Sequence, residues 1–422
     1  MKLIKRHICF ILFSGLLLSA CEKDEDQSEG ATAISQIKIL AEANVVNAIT
    51  VVAGDGVYLL VYTNIELEYA AKLMTNDGVE LWTKNISEDL GLMASEATLT
   101  IEEVLYDIDG TFAFFSGQRL VKLDVQGNVV YDNPTFTTGI PDGNNQALIL
   151  NVFGTSDGGY FVSGSFRQNV NNRFRAYFTK YSRTGIVEFS ELYFINTAGD
   201  MGITSGIENE NGYTLGGYYS SRSVENKTAF YILNISAEGE ILWSQIHETA
   251  LVIGQPSVNE ILGREIIQLA NGNMIYFMVP QENAFSDQRS KGFVVDAFGA
   301  LVDSVFFDLA NSNMLASSRP SIGQGVVKSN DGGFVGIANP RFIIDQEVSS
   351  TTVPLNYETP SFGYSFSIGA FGAIEEMKFI DQSLSMNLAS ITTLSNSGTV
   401  IFGLRQSIDN EVKLITITNE AN

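Results

Sequence analysis

The sequence predicts an all-β protein with a β-propeller fold, and two repeated features of the chain support this prediction. Short apolar segments separated by glycine-containing turns run from about residue 33 to the end, and no long stretch has the 3.6-residue apolar period of a helix. Two kinds of turn alternate along this region. Hydrophobic residues make up 45% of the chain, which is ample for a packed core.

The first recurring turn contains Asp-Gly, Asn-Gly or, once, Ser-Gly, and a strand-like segment follows each one. Glycine supplies the positive φ angle that a tight hairpin requires, so each of these turns marks a hairpin. Its glycines are spaced 54, 48, 54, 60, 60 and 66 residues apart: Gly56, Gly110, Gly158, Gly212, Gly272, Gly332 and Gly398.

A second turn follows within each unit, 22, 17, 27, 27, 27 and 40 residues after the first glycine. Two hairpins per unit give four antiparallel strands, which is the pattern of a propeller blade. The glycines of this second turn are Gly78, Gly127, Gly185, Gly239, Gly299 and Gly372.

The count gives six complete units and a last one with three strands, Leu388–Thr393, Thr399–Arg405 and Glu411–Thr418. The apolar segment Ile34–Ala41 is the candidate for the missing strand. We therefore predict seven blades, with the closing blade shared by the N- and C-termini, because this arrangement leaves no exposed sheet edge. Six or eight blades stay open if one boundary is miscounted.

Glycines recur late in the second strand of several units, where we expect them to allow close contact between blades or bends. They are Gly164, Gly216, Gly217, Gly336 and Gly403.

The first 20 residues have the form of a secretion signal, with a basic start and the apolar run Ile8–Leu18, which is short for a membrane span. The run ends in Leu18-Ser19-Ala20-Cys21, which resembles the lipobox of bacterial lipoproteins. This resemblance implies that Cys21 is acylated and becomes the first residue; the alternative is a plain secretory signal. We divide the chain into a signal peptide (1–20), an acidic flexible tether (21–32) and a propeller domain (33–422).

Two further motifs resemble those of Bacteroidetes surface and propeller lipoproteins. Lys23-Asp24-Glu25 resembles the export signal that follows the acylated cysteine. The repeats Asp157–Gly164 and Lys122–Gly127 resemble the blade repeat of the propeller proteins. The resemblance implies an outer-membrane lipoprotein at the cell surface, with the periplasmic face as the alternative; it names a fold and a compartment rather than a reaction.

Composition excludes several kinds of chemistry. The chain has 25 basic and 48 acidic side chains, and its net charge after Cys21 is about −26, which argues against nucleic-acid binding. With the signal removed, His247 and Cys21 are the only histidine and cysteine, so we predict no disulfide, no Cys/His zinc site and no Cys–His nucleophile. No cofactor is predicted. Calcium stays open because oxygen ligands are plentiful, although the Asp107–Gly110 segment fails the EF-hand pattern and is read as a turn.

The two tight turns of each blade should lie on one face of the propeller, and the longer, more variable connections on the other. Function usually occupies variable loops on a rigid scaffold, so candidate ligand-binding residues are sought there. Basic side chains in two neighbouring loops suit a carboxylate, sulfate or phosphate, with ordinary solubilising charge as the alternative. The candidates are Arg167, Arg173, Arg175, Arg222 and Lys227, with Tyr218 and Tyr219 nearby, and Arg341 and Tyr357 in the insertion Ala338–Phe362.

The leading hypothesis is a noncatalytic module that binds a protein or glycan partner through this loop face while Cys21 anchors it to the membrane. A glycan-directed hydrolase or lyase is the alternative, and a structural subunit of an outer-membrane assembly is a third. No catalytic residue is predicted. His247 has no recognisable partners for catalysis, and the acidic pairs Glu66/Glu68 and Asp303/Asp308 cannot be placed near each other from sequence.

Overall fold

A computed structural model gives the chain as two compact units, residues 1–33 with 422, and residues 34–421. All of the residues that the structure describes lie in the second unit. They are 36–40, 45–92, 101–116, 119–133, 147–168, 173–195, 199–221, 227–252, 265–278, 291–306, 325–329, 331–338, 363–380, 385–396, 398–406 and 412–419.

Seven separate antiparallel sheets of four strands each form the described part of the chain, and no helix occurs there. Blade 1 contains β2 (Val45–Ala53), β3 (Val57–Asn64), β4 (Tyr69–Thr75) and β5 (Glu80–Asn85). Blade 2 contains β6 (Ile101–Tyr106), β7 (Phe112–Ser116), β8 (Arg119–Leu123) and β9 (Val129–Asn133). Blade 3 contains β10 (Ala147–Gly154), β11 (Tyr160–Gln168), β12 (Arg173–Tyr181) and β13 (Val187–Tyr193).

Blade 4 contains β14 (Gly199–Asn209), β15 (Gly212–Ser221), β16 (Lys227–Ser236) and β17 (Ile241–Val252). Blade 5 contains β18 (Glu265–Gln268), β19 (Met274–Met278), β20 (Lys291–Val295) and β21 (Leu301–Phe306). Blade 6 contains β22 (Val326–Lys328), β23 (Phe334–Ala338), β24 (Tyr364–Ile368) and β25 (Ile374–Phe379). Blade 7 contains β26 (Ser385–Thr393), β27 (Thr399–Gln406), β28 (Val412–Asn419) and β1 (Gln36–Ile39).

The closing blade is shared by the two ends of the described chain, as predicted. Strand β1 pairs antiparallel with β28, with Gln36 opposite Thr418 and Ile39 opposite Ile415. Strand β26 is the first strand of this blade, and β1 takes the place of the outermost one. The seven-bladed propeller with a shared closing blade is therefore confirmed, and counts of six or eight are excluded.

Both turns of blades 1 to 6 are tight, because glycine closes them. Twelve of the predicted glycines have positive φ angles, for example 80° at Gly110 and 75° at Gly127. In the first turn of blade 2, the Gly110 amide donates to the Asp107 carbonyl over 3.0 Å. All of these turns lie on the side toward which the first strand of each blade runs; we call it the tight-turn face and the opposite side the loop face. Connections on the loop face vary from 117–118 in blade 2 to 339–363 in blade 6.

The core lies between blades. The second strands are buried along most of their length, as in β3 and β7, and one apolar cluster combines Leu59 and Val61 of blade 1 with Phe112 and Phe114 of blade 2. The last strand of a blade alternates between exposed and partly buried residues, as β5 does. This difference explains why the inner strands lack clean alternation in the sequence.

Aromatic side chains on the outer strands bind the second turn of the next blade. Trp82 Nε1 donates to the Val125 carbonyl over 2.9 Å, and the Tyr131 hydroxyl donates to the Thr184 carbonyl over 2.6 Å. In blade 4, the Trp243 ring lies so close to Gly299 that a Cβ there would come within 2.3 Å of it. Each of these aromatics follows its own second-turn glycine by four residues, which makes the contact a repeated feature of the ring.

The interior glycines allow close packing, as expected. A Cβ at Gly164 would lie 1.9 Å from the Leu148 carbonyl oxygen, and one at Gly336 would lie 2.1 Å from the Phe366 ring. Glycine at these positions therefore lets a neighbouring strand or ring approach the backbone.

We predict that Gly164→Ala destabilises the propeller by about 1–3 kcal/mol, because the added methyl group meets a backbone carbonyl that cannot move independently. The matched control is Gly154→Ala, in the neighbouring strand, where nothing lies within 4 Å of the added Cβ. Urea unfolding of the two variants measures the difference. Equal stability of the two variants would contradict the packing role of Gly164.

Candidate functional site

The loop face brings together arginines of blade 3 and the first strand of blade 4. Arg173 and Arg175 lie two residues apart at the start of β12, so their side chains share one face of the sheet. The Phe174 amide between them donates to Asp200 Oδ1 over 3.0 Å, and Asp200 lies at the start of β14. The backbone of blade 3 is therefore joined to blade 4 at this point.

Arg175 is a buried guanidinium with a structural contact. Its side chain is 1% exposed, its Nη1 donates to the Gly199 carbonyl over 2.8 Å, and its guanidinium lies 5.6 Å from the centre of the Phe194 ring. Burial lowers the pKa of Arg175, the charge of Asp200 raises it, and the charge of Arg173 lowers it further. These contacts fit a role in holding blades 3 and 4 together more than direct contact with a ligand.

Arg173 and Tyr219 are the half-buried members of the same group. Tyr219 lies opposite Met201 in the pairing of β14 with β15, one position from Asp200, and like Asp200 it raises the pKa of Arg175 electrostatically. We call Arg173, Arg175, Asp200 and Tyr219 the arginine cluster. It carries two guanidinium groups and one carboxylate, in a chain whose overall charge is strongly negative.

The other described candidates lie outside this cluster. Arg167 is half-buried, and its register opposite Phe174 places it on the other face of the sheet from Arg173. Tyr218 is 3% exposed, packs against Leu150 and has its pKa raised by burial. A ligand on the surface would reach Arg173 and Tyr219 more readily than Arg175 or Tyr218.

The remaining predicted residues are described in part or lie outside the described residues. Lys227 pairs through its backbone with Val252 at the start of β16. The insertion Ala338–Phe362 is described only at Ala338, the last residue of β23. The remaining predicted residues lie outside the described residues: Cys21, Arg222, Arg341 and Tyr357.

A buried ion network between blades 2 and 3 on the tight-turn side was not predicted. Lys122 Nζ lies 2.5 Å from Asp107 Oδ2 and 3.2 Å from Asp109 Oδ2, while the Tyr160 hydroxyl donates to Asp107. Arg183 Nη2 lies 3.1 Å from Asp109 Oδ2. Pairing of this kind offsets the cost of burying a charge. The signal in the sequence is a lysine five residues before the second-turn glycine.

Blade 3 repeats that lysine. Lys180 is 1% exposed, and its Nζ lies 2.8 Å from Asp157 Oδ2 and 3.1 Å from Glu188 Oε2. It also donates to the Tyr181 carbonyl over 3.1 Å. In blade 4 the corresponding position is Asn234, which donates to Thr214 Oγ1 over 2.9 Å. A polar side chain at this position of blades 2, 3 and 4 therefore links the strands that flank the tight turns.

A cavity of about 500 Å³ opens where the first strands of the blades end at the tight-turn face. Five of the seven first strands or the turns that follow them line it, and its carboxylates belong to Glu103, Asp107 and Glu208. Asp107 is already bonded to Lys122 and Tyr160, and Glu208 accepts from the Ser156 amide and hydroxyl over 2.6 and 2.8 Å. These two carboxylates therefore serve the fold.

The remaining catalytic and metal possibilities gain little from the structure. His247 Nε2 lies 2.8 Å from the Gly299 carbonyl of the next blade, and the centre of its ring lies 4.7 Å from that of Phe230, so it contributes to the contact between blades. Glu68 Oε2 accepts from Asn85 Nδ2 over 2.6 Å, whereas Glu66 is exposed in the same turn. Within the described ranges, no group of three or more His, Cys, Asp or Glu side chains could hold a metal ion. Asp308 lies outside the described ranges.

No helix found in the described part of the chain could cross a membrane.

No protein-family profile matches this chain, and no curated protein matches its sequence. Solved structures share its fold. An ulvan lyase of polysaccharide lyase family PL25, bound to -[GlcA(1-4)Rha3S]-, has a TM-score of 0.51 and 8% identity, over 90% of this chain and 96% of its own. A Bacteroides caccae protein of unknown function has a TM-score of 0.33 and 16% identity, over 63% of this chain and 83% of its own.

The β-propeller domain of the Trilobed protease from Pyrococcus furiosus is 9% identical, with a TM-score of 0.45, over 89% of this chain and 96% of its own. At these identities the similarity concerns the fold alone.

The paired aspartates predict a loss of stability in acid. Burial raises the pKa of Asp109, but hydrogen bonds from Thr111 and Arg183 and the charge of Lys122 lower it more, to about 2. The pKa of Asp157 is likewise raised by burial but lowered more by Lys180 and Thr155, to about 2. Because both pKa values lie below their usual value, the stabilisation is present above about pH 4 and is lost as the pH falls toward about 2.

We therefore expect the free energy of unfolding to fall over this interval, and to fall less steeply in the double variant Asp109→Asn/Asp157→Asn. Urea unfolding at several pH values measures the slope. The control is Asp55→Asn, an exposed turn residue of blade 1. An unchanged slope in the double variant would show that these two carboxylates do not set the acid sensitivity.

Proposed function

We propose that this chain is an outer-membrane lipoprotein, acylated at Cys21, whose propeller binds an anionic glycan or protein partner at its loop face. The observation that carries the binding proposal is the arginine cluster, where two guanidinium groups of blade 3 meet the start of blade 4. The anchor rests on the lipobox-like sequence at Cys21, and the acidic segment after it favours the cell surface over the periplasmic face.

The chemistry of the cluster favours an acidic ligand. Guanidinium groups bind carboxylates and sulfates through paired hydrogen bonds, with geometry that lysine cannot reproduce. Arg173 is half-buried at the surface end of β12, and the buried Arg175 behind it adds positive charge in a setting partly screened from water. Tyr219, also half-buried, offers a ring against which a sugar can pack.

A solved structure with the same fold supports the glycan form of the proposal. The ulvan lyase is bound to a saccharide that contains a glucuronic acid and a sulfated rhamnose. That protein shows that a propeller scaffold can hold an anionic polysaccharide. For this chain, the arginine cluster supplies the chemical basis for binding the same class of ligand.

The alternative is a lyase or hydrolase on the same scaffold. A tyrosine that acts as a base needs a lowered pKa, yet burial raises the pKa of Tyr160, Tyr218 and Tyr276. The most buried carboxylate of the cavity, Asp107, is neutralised by Lys122. These features favour binding over catalysis as the proposed activity.

The binding proposal predicts that residues 31–422 are retarded in native gels containing ulvan or heparin, and are not retarded by neutral dextran. Arg173→Ala should weaken the apparent affinity by about tenfold, because a charged hydrogen-bond pair is lost. Added salt should weaken it further.

The matched control is Arg183→Ala, which removes one guanidinium from the tight-turn face and should leave the retardation unchanged. Arg175 is unsuitable for this test because its loss would damage the fold. No retardation by either polyanion, or equal retardation of the Arg173→Ala variant, would overturn the glycan form of the proposal.

A further inference from the structure

We infer that the tight-turn face of the propeller docks on the lipid surface, so that the loop face and its arginine cluster point away from the membrane. This inference rests on the anchor at Cys21 that the proposed function includes. Three observations support it: where the chain enters the propeller, where apolar side chains are exposed, and how charge is distributed on that face.

The chain enters the propeller at the tight-turn face. Strand β28 is the third strand of blade 7 and runs toward this face, as the third strand of every blade does. Since β1 is antiparallel to β28 and Gln36 pairs with Thr418 near the end of β28, β1 begins at the tight-turn face. Only 15 residue steps separate Gln36 from Cys21, which limits the span to roughly 50 Å even if fully extended.

Three tight turns present large apolar residues at their tips, where polar residues are usual. Ile108, Phe298 and Phe371 are 67%, 73% and 74% exposed. They belong to blades 2, 5 and 6, so they lie on opposite sides of the ring. Three separated points on one face can hold that face parallel to a flat surface, which a single apolar patch cannot do.

The outer strands add to this apolar surface just beyond the second turns. In blades 1 to 5 the residues that follow the turn include two exposed aliphatic side chains each. They are Val79 and Leu81, Val129 and Val130, Ile186 and Val187, Ile241 and Leu242, and Leu301 and Val302. Apolar side chains that recur within three residues of the second-turn glycine in five blades differ from the scattered exposed residues found on most proteins.

Charge restricts the kind of lipid. Exposed carboxylates such as Asp55 and Asp77 lie in the two tight turns of blade 1, on the same face, and they would be repelled by anionic headgroups. A zwitterionic surface is therefore the expected partner, with apolar tips as the source of affinity. The loop face also has an exposed apolar pair, Ile65 and Leu67 in blade 1. The experiment must therefore distinguish docking by the tight-turn face from docking by the loop face.

The test uses the acylated mature chain, residues 21–422, which has lost Cys9 with the signal, in zwitterionic vesicles that contain a small fraction of spin-labelled lipid. Because acylation blocks the thiol of Cys21, one introduced cysteine can carry a fluorophore. Asp77→Cys places it on the tight-turn face, and Glu66→Cys places it on the loop face of the same blade; both residues are exposed and acidic. We expect severalfold stronger quenching for the Asp77→Cys variant. Equal quenching, or stronger quenching of the Glu66→Cys variant, would overturn the inference.

A second measurement tests the apolar tips without the anchor. Residues 31–422 should sediment with zwitterionic vesicles, and Phe298→Ser/Phe371→Ser should lower the partition coefficient by roughly tenfold. The control Leu67→Ser changes an equally exposed residue of the loop face and should have no effect. Anionic lipid should weaken sedimentation. No loss in the double variant would contradict a role of the turn tips.

Incorporation of labelled palmitate separates this inference from the proposal on which it rests. Incorporation that is lost in Cys21→Ser, together with equal quenching at both faces, would refute the docking while leaving the anchor in place. No incorporation in the unchanged chain would refute the anchor itself. The retardation assay with ulvan and heparin is independent of both results.

Discussion

The main-chain pairing of β1 with β28 holds the ends of the propeller together, and the rest of the ring depends on it. Without β1, blade 7 would have three strands and β28 would be an open edge. The same segment also reaches blade 1: Lys38 donates to the Gly78 carbonyl, and Leu40 packs with Tyr58. One short strand therefore completes blade 7, joins it to blade 1 and fixes the face at which the chain enters.

Contacts between neighbouring blades distribute this constraint around the ring. Outer-strand side chains such as Trp82 and Tyr131 bind the second turn of the next blade, and His247 does so between blades 4 and 5. Arg175 makes the corresponding connection near the loop face, between blades 3 and 4. Groups that suggest chemistry in the sequence thus hold the scaffold in several places, and Arg173 is the more exposed of the two arginines at the start of β12.

The fold could be predicted from the sequence because turn chemistry is local. Asp-Gly and Asn-Gly pairs favour hairpin turns, so the regular spacing of residues such as Gly158 and Gly212 indicates the blades. The site could be predicted only in part. Burial of Arg175 and the pairing of Lys122 with Asp107 depend on contacts between strands far apart in sequence. The aromatic residues four positions after the second-turn glycine recur in the sequence. Their role was not predicted, because each contacts a turn of the next blade, far away in the sequence.

The most direct test of this account is the thermal stability of residues 41–422, which lack β1, compared with residues 31–422. Closure by β1 predicts a single cooperative transition for the longer chain, and a melting temperature lower by several degrees, with aggregation through the exposed edge of β28, for the shorter one. The same melting temperature and solubility for both chains would contradict the dependence of the ring on this pairing.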